Sequence, residues 1–121
     1  MTPVVAHFSA DPMSVTDARE FVEGVLGGCP PELVADALLL TSELVSNAVR
    51  HAGTSFRVEV LVGPAVRIVV CDGSPNAPVV QHPGPEDTGG RGLLLVHSLA
   101  SRWGYEVSPE GKVVWFELAV P

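Results

Sequence analysis

The chain has 121 residues, the size of one domain, and 46% of them are apolar, which excludes general disorder. Seven basic residues stand against fourteen acidic ones, and a formal net charge of −7 argues against direct binding to nucleic acid or to an anionic membrane. The chain has two cysteines, which do not make a disulfide framework. It has neither a signal-like N-terminus nor an apolar run of roughly 20 residues, so it is predicted to be cytoplasmic.

The N-terminal part of the chain predicts a strand followed by a helix. Residues 4–9 are predicted as a short edge strand. Ser14 is predicted to cap a helix over residues 15–26, which the Gly27-Gly28 pair would end.

A second, longer helix is predicted from Pro30 and Pro31 to about Ala52. Proline suits the first turn of a helix, and Gly53 supplies the stop. Because its apolar side chains recur at helical spacing, one face of this helix is predicted to join the core. The residues on that face are Leu33, Val34, Ala37, Leu38, Thr41, Leu44, Val45, Ala48 and Val49.

A hairpin and a long loop are predicted next. Residues 56–62 and 66–72 are rich in β-branched side chains and flank Gly63-Pro64, which is a hairpin signal. Residues 73–88 hold four prolines and almost no periodicity. A connection of this length is uncommon unless it is functional or mobile, so this segment is predicted to be one or the other.

The last predicted elements are a helix and two strands. The glycines of residues 89–92 would open a helix over 93–101, and strands over 103–107 and 113–120 would be joined by a turn at 109–111. This order separates helices from strands. It predicts an α+β fold, a two-layer α/β sandwich whose mixed, mostly antiparallel sheet is covered on one face by three helices.

Three polar segments interrupt these apolar elements, and the first lies on the long helix. Glu43, Asn47 and His51 are spaced four residues apart, so they share one helix face. A carboxylate, an amide and an imidazole in line can hold a hydrated divalent cation and position a nucleophile. The alternative is an ordinary solvated helix face.

The second segment is Asp72-Gly73, which directly follows an apolar strand. A strand end presents a side chain to a ligand on a rigid scaffold. An ionised Asp accepts hydrogen bonds only, so it suits an exocyclic amine such as that of adenine. The alternative is an Asp that caps a turn.

The third segment is the glycine-rich start of the third helix, Gly89 to Gly92. Open backbone N–H groups and the positive end of the helix dipole favour a phosphate there, and Arg91 adds a positive charge. The alternative is that these glycines serve only to allow close packing. The segment is not a Walker A loop, because it lacks Gly-Lys-Ser/Thr.

Taken together, the three segments resemble the boxes of the GHKL ATP-binding superfamily, which includes gyrase B subunits, histidine kinases and a chaperone ATPase. Residues 43–51 resemble its N box, Asp72-Gly73 its G1 box, and residues 90–93 its G2 box. The order and spacing agree over nearly the whole chain. The resemblance implies the Bergerat ATP-binding fold as a single domain over residues 1–121.

The resemblance also implies roles in the N and G1 boxes. Asn47 would coordinate Mg²⁺ that bridges the phosphates of ATP, and Glu43 would be the catalytic base. His51 would belong to the nucleotide site. Asp72 would receive the adenine amino group, and Gly73 would let the adenine approach the backbone.

In the G2 box, Gly90 and Gly92 would give their N–H groups to the phosphates, with Arg91 nearby and Leu93 following in the same site. Residues 73–89 would form the ATP lid. ATP and Mg²⁺ are thus the cofactors that the resemblance implies.

The absence of attached sensor or dimerisation sequence most resembles bacterial anti-sigma-factor serine kinases of the kind numerous in actinomycetes. This implies a protein serine/threonine kinase that phosphorylates a small anti-anti-sigma (STAS-type) partner and binds a sigma factor. The resemblance leaves homodimerisation open. It implies a role in transcription regulation without direct contact with nucleic acid or membrane.

One departure favours a second hypothesis. The family's G1 box reads Asp-x-Gly-x-Gly, whereas Asp72 is followed by Gly-Ser-Pro-Asn. The lid, residues 73–89, also contains no Lys and no Arg. The alternative function is a non-catalytic module of the same fold that sequesters a sigma factor or another regulator, with weak or vestigial ATP binding. A free-standing ATPase is a third hypothesis.

Overall fold

A computed structural model describes residues 2–76 and 92–120, with side chains in the second range described from Val96 onward. The elements follow in this order: β1 (Val4–Phe8), α1 (Met13–Val25), α2 (Pro31–Asn47), a π-helical turn (Ala48–Ala52), β2 (Phe56–Val62), β3 (Ala65–Asp72), α3 (Gly92–Leu99), β4 (Arg102–Ser108) and β5 (Gly111–Ala119). Residues 77–89 of the predicted lid, and Gly90 and Arg91 with their predicted roles, lie outside the described residues.

The five strands form one sheet in the order β1-β2-β3-β5-β4. Each of the four pairings between neighbouring strands is antiparallel. Together with the three helices this is the predicted α+β fold, which is confirmed. None of the helices among the described residues combines the length and the apolar character that crossing a bilayer requires.

The core lies between the helices and one face of the sheet. Alternate side chains of the three central strands point into it: Val58, Val60, Val66, Ile68, Val70, Val114, Phe116 and Leu118. The helices contribute buried residues such as Val22, Leu40 and Val45. Full burial of one such side chain contributes about 1.5–3 kcal/mol to the stability of the fold. Because a strand shifted by one residue would turn these side chains to the other face, their burial fixes which strand residues point toward the helices.

Helix α1 begins earlier than predicted, and the assignment of Ser14 as its N-cap is wrong. The helix starts at Met13, whose N–H donates to Asp11 Oδ1 at 2.8 Å, and Ser14 is buried inside the first turn. Pro12 already has helical dihedral angles (φ −53°, ψ −32°). Because proline is preorganised for a first turn, the helix begins beside Pro12 with Asp11 as the side chain that receives a free N–H.

The second helix has the predicted extent but changes its type near the end. After Asn47 the backbone forms a π-helical turn, in which the Gly53 N–H donates to the Ala48 carbonyl at 3.2 Å. Gly53 then ends the element with φ +65°, a left-handed conformation that glycine adopts without strain. Because the π-turn is wider than an α-turn, the helical spacing predicted from Asn47 to His51 does not continue through this segment.

Candidate functional site

The centre of the candidate site is the carboxylate of Asp72, at the last position of β3. Its side chain is only 3% exposed and lies on the helix-covered side of the sheet. Oδ1 accepts the Ser74 N–H at 2.8 Å, and Oδ2 accepts from Lys112 Nζ at 2.7 Å. A buried carboxylate held in this way has a fixed direction. It also keeps lone pairs for a further donor, since an ionised carboxylate has about four acceptor positions.

Lys112 is a site residue that the sequence analysis missed. It is the only lysine of the chain, stands second in β5, and lies directly opposite Asp72 in the pairing of β3 with β5. Its side chain is 10% exposed, so the ion pair is buried. Gly111 precedes it at φ +152°, and a Cβ at that glycine would collide with the Asp72 carbonyl oxygen. The close backbone approach at Gly111 therefore helps to position Lys112 beside Asp72.

Gly73 connects the end of β3 to the end of the second helix. Its N–H donates to Thr54 Oγ1 at 2.8 Å, and Thr54 follows Gly53, the residue that ends the π-helical turn. A Cβ at Gly73 would lie 3.2 Å from two atoms of the Thr54 side chain, which is tighter than ordinary contact. This contact accounts for a glycine at position 73 without reference to any ligand. The predicted role of Gly73 beside adenine stays a prediction.

The N-box residues lie along the second helix at different depths. Glu43 and Asn47 are half-buried in α2, whereas His51 is exposed in the π-helical turn. Glu43 borders a groove of about 390 Å³ between the start of α1 and α2. The other lining residues of this groove are Pro12, Val15, Ser46, Val49 and Arg50. A partly solvated carboxylate beside an open groove is accessible to a proton donor.

Among the described residues, Glu43 and Asp72 border different cavities. Asp72 borders grooves of about 320 Å³ and 240 Å³, and neither of them includes a residue of α2. The described contacts thus bring Asp72, Gly73 and Lys112 together, and they link this cluster to the second helix through Thr54. The roles assigned to Glu43, Asn47 and His51 remain predictions.

Only the backbone position of the G2 box is partly described. Gly92 is the first residue of α3, and the Leu93 side chain lies outside the described residues. Toward the other end of α3, Val96 is buried in the core and His97 Nδ1 accepts the Trp103 Nε1–H at 3.3 Å. These two contacts attach α3 to the core and to β4.

The donor set of the described residues fits Mg²⁺ bound through phosphates rather than a metal held by protein alone. No three His, Cys, Asp or Glu side chains in residues 2–76 and 96–120 form a group that would hold a metal ion. Mg²⁺ keeps several waters and commonly takes one or two protein oxygens plus phosphate oxygens. The half-buried amide of Asn47 is an oxygen ligand suited to that arrangement.

Cys71 lies next to Asp72 in the sequence but points to the opposite face of the sheet. Both cysteines are free; Cys71 is buried and Cys29 is half-buried. Burial raises the pKa of the Cys71 thiol; the Arg57 guanidinium partly offsets this, and Glu59, whose Oε2 lies 3.7 Å from Sγ, reinforces it.

We therefore expect the Cys71 thiol to be inert in the folded protein. In a Cys29→Ser variant at pH 8, its reaction with a disulfide reagent should be at least about tenfold slower than in the urea-unfolded chain. Because the folded state holds the thiol proton more tightly, the free energy of unfolding should decrease as the pH rises above about 8.5. Equal reaction rates in the folded and unfolded chains would contradict this expectation.

Comparisons with known proteins agree with this geometry. The family described as a histidine kinase-like ATPase domain matches residues 8–118. Among 18 matching chains of solved structures is one from the crystal structure of the RsbU and RsbW domains of Rv1364c from Mycobacterium tuberculosis. The TM-score is 0.77 at 19% sequence identity, and the match covers 99% of this chain and 33% of that one. The chain therefore spans about a third of the length of that solved chain. No curated protein matches the chain in sequence.

Proposed function

The chain belongs to the histidine kinase-like ATPase family, and on that premise we propose that it binds ATP with Mg²⁺ and phosphorylates a serine or threonine. The acceptor is a small anti-anti-sigma (STAS-type) protein, and a sigma factor is a further partner in the cytoplasm. The observation that carries the nucleotide part of the proposal is the buried, oriented Asp72 carboxylate at the end of β3.

The preference for adenine follows from the chemistry of this carboxylate. Asp72 accepts hydrogen bonds, and the 6-amino group of adenine donates them. Guanine has a carbonyl oxygen at the same position, so it would place an acceptor against an acceptor. The buried surroundings make such a mismatch more unfavourable than it would be in water.

The transfer step uses residues of α2. A bond forms between the acceptor hydroxyl oxygen and the γ-phosphorus, and the bond from that phosphorus to the bridging oxygen breaks, so that ADP leaves. Glu43 takes the hydroxyl proton, and Asn47 provides an oxygen ligand for Mg²⁺. The metal, when bound, neutralises phosphate charge, and phosphoryl transfer depends mainly on such positioning and charge stabilisation.

The first expected result concerns nucleotide binding. Mg-ATP or Mg-ADP at a hundredfold excess over Kd should stabilise the folded protein by about 2.7 kcal/mol, which raises Tm by several degrees. EDTA should reduce the shift, and GTP should produce little. Because the altered G1 box favours weak affinity, the thermal titration should extend to millimolar nucleotide.

Two variants test which residues produce this shift in Tm. Asn47→Ala should remove most of the part that depends on Mg²⁺, because it deletes the protein's oxygen ligand. Glu23→Ala, which changes an exposed side chain of α1, is the control and should leave the shift unchanged. Equal shifts with ATP and GTP, or no shift with either, would show that the adenine site is assigned wrongly.

A second candidate function is a non-catalytic module that sequesters a regulator. The sequence Ser74-Pro75-Asn76 after Gly73 favours it, because Ser74 is buried and its N–H is already bonded to Asp72. Proline also restricts the residue before it, so this segment has less freedom than the glycines of the usual G1 box. This candidate predicts tight partner binding without phosphoryl transfer, with or without Mg-ATP.

A further inference from the structure

The ion pair between Lys112 and Asp72 has hydrogen-bonding capacity that its own geometry does not use. A lysine ammonium has three N–H donors, and Nζ gives one of them to Asp72 Oδ2 at 2.7 Å. Among the described residues, Asp72 is the one hydrogen-bond partner of Nζ. Since the Lys112 side chain is only 10% exposed, water has little access to the remaining donors. Such donors usually have a partner when they are buried.

The position of these donors is set by the sheet. Lys112 and Asp72 face each other across β5 and β3 and both point toward the helix-covered side. The Asp72 acceptor and the Lys112 donor therefore lie side by side at the same end of the sheet. A ligand that uses both must have a donor and an acceptor at neighbouring positions on one edge.

Adenine has this arrangement, with the 6-amino donor next to the N1 acceptor. We propose that Lys112 determines base specificity: its ammonium donates to N1 of adenine while the Asp72 carboxylate accepts from the 6-amino group. This assignment rests on the proposed nucleotide site and adds to it a second contact with the base. Guanine has the reverse order, a carbonyl at position 6 and an N–H at position 1, so it is mismatched at both residues.

Modified nucleotides test the contact without any change to the protein. In 1-deaza-ATP a C–H group replaces N1, whereas in 7-deaza-ATP the change is on the other edge of the purine. We expect wild-type protein to bind 1-deaza-ATP about 10- to 100-fold more weakly than ATP, the range for a hydrogen bond to a charged group. Binding of 7-deaza-ATP should match that of ATP. Calorimetric titration with Mg²⁺ measures all three dissociation constants.

The variant Lys112→Met completes the test as a cycle between protein and ligand. In that variant ATP and 1-deaza-ATP should bind with equal affinity, because the donor is gone. Arg67→Met is the matched control, since Arg67 lies on the opposite face of the sheet, 4.2 Å from the Trp115 ring centroid. This control should keep the wild-type ratio between the two nucleotides.

The outcomes separate the two proposals. If ATP does not bind wild-type protein at millimolar concentration, the proposed function fails and the role of Lys112 fails with it. If ATP binds and 1-deaza-ATP binds equally well, the role of Lys112 is wrong and the proposed function stands. The wild-type comparison decides this even where Lys112→Met does not fold.

Discussion

Replacement of Glu43 by glutamine is expected to lower phosphoryl transfer to a cognate anti-anti-sigma protein by about 10²- to 10⁴-fold, the range of general-base contributions. The amide keeps the size of the side chain but does not take the hydroxyl proton. Affinity for Mg-ATP should stay close to the wild-type value, because Glu43 borders its own groove rather than the Asp72 cluster. Transfer of radiolabelled phosphate from ATP measures the loss, and a parallel binding titration measures the affinity.

Glu23→Gln provides the control for this experiment. Glu23 is an exposed carboxylate on α1, so its replacement changes the net charge equally without affecting the groove beside Glu43. Transfer at the wild-type rate by Glu43→Gln would contradict the general-base role. Absence of transfer by the wild-type protein to every cognate partner would favour the sequestering module instead.

Removal of one partner from the buried ion pair should strongly destabilise the fold. Lys112→Met leaves the Asp72 carboxylate buried without its cation, and such changes cost about 3–5 kcal/mol. A domain of this size is stable by about 5–15 kcal/mol, so the expected loss is a large share of the total. Urea unfolding of nucleotide-free protein measures it. In the double variant Asp72→Asn, Lys112→Met, most of the stability should return, because no unpaired charge remains in the interior.

The exposed pair of Arg57 and Glu59 is the control for burial. Its N–O distance is 3.1 Å, but Arg57 is 47% exposed. Solvent screens such a pair, so Arg57→Met should change the free energy of unfolding by at most about 1 kcal/mol. Similar losses in Arg57→Met and Lys112→Met would contradict the argument that burial makes the Lys112 pair important.

The sequence predicted most of the fold because the apolar patterns are regular. Strand β2 has the predicted bounds, 56–62, and the second helix extends over the predicted residues. The structure differs from the prediction where two patterns of backbone hydrogen bonding compete. A π-turn and an α-turn accept the same side chains, so the pattern at residues 48–52 did not distinguish them. At the start of α1 the sequence predicted Ser14 as the cap, but Pro12 already has helical dihedral angles, and the Asp11 carboxylate accepts the first free N–H instead.

The candidate site was predictable only where its residues form local motifs. Asp72 and Gly73 stand out because a carboxylate and a glycine follow an apolar strand. Lys112 is 40 residues further along the chain and becomes its neighbour through the pairing of β3 with β5. Strand order across a sheet is not visible in local patterns. The available signal was that the chain places its one lysine at the start of a strand.

The position of β5 between β3 and β4 has a consequence for synthesis on the ribosome. Strands β1, β2 and β3 are complete well before β5, which follows every other described element along the chain. During that interval β3 has an unpaired edge, and part of its apolar face lacks the neighbours that β5 supplies. Pairing between strands so distant in sequence is slow to form. We therefore expect newly made chains to be most prone to aggregation just before β5 inserts.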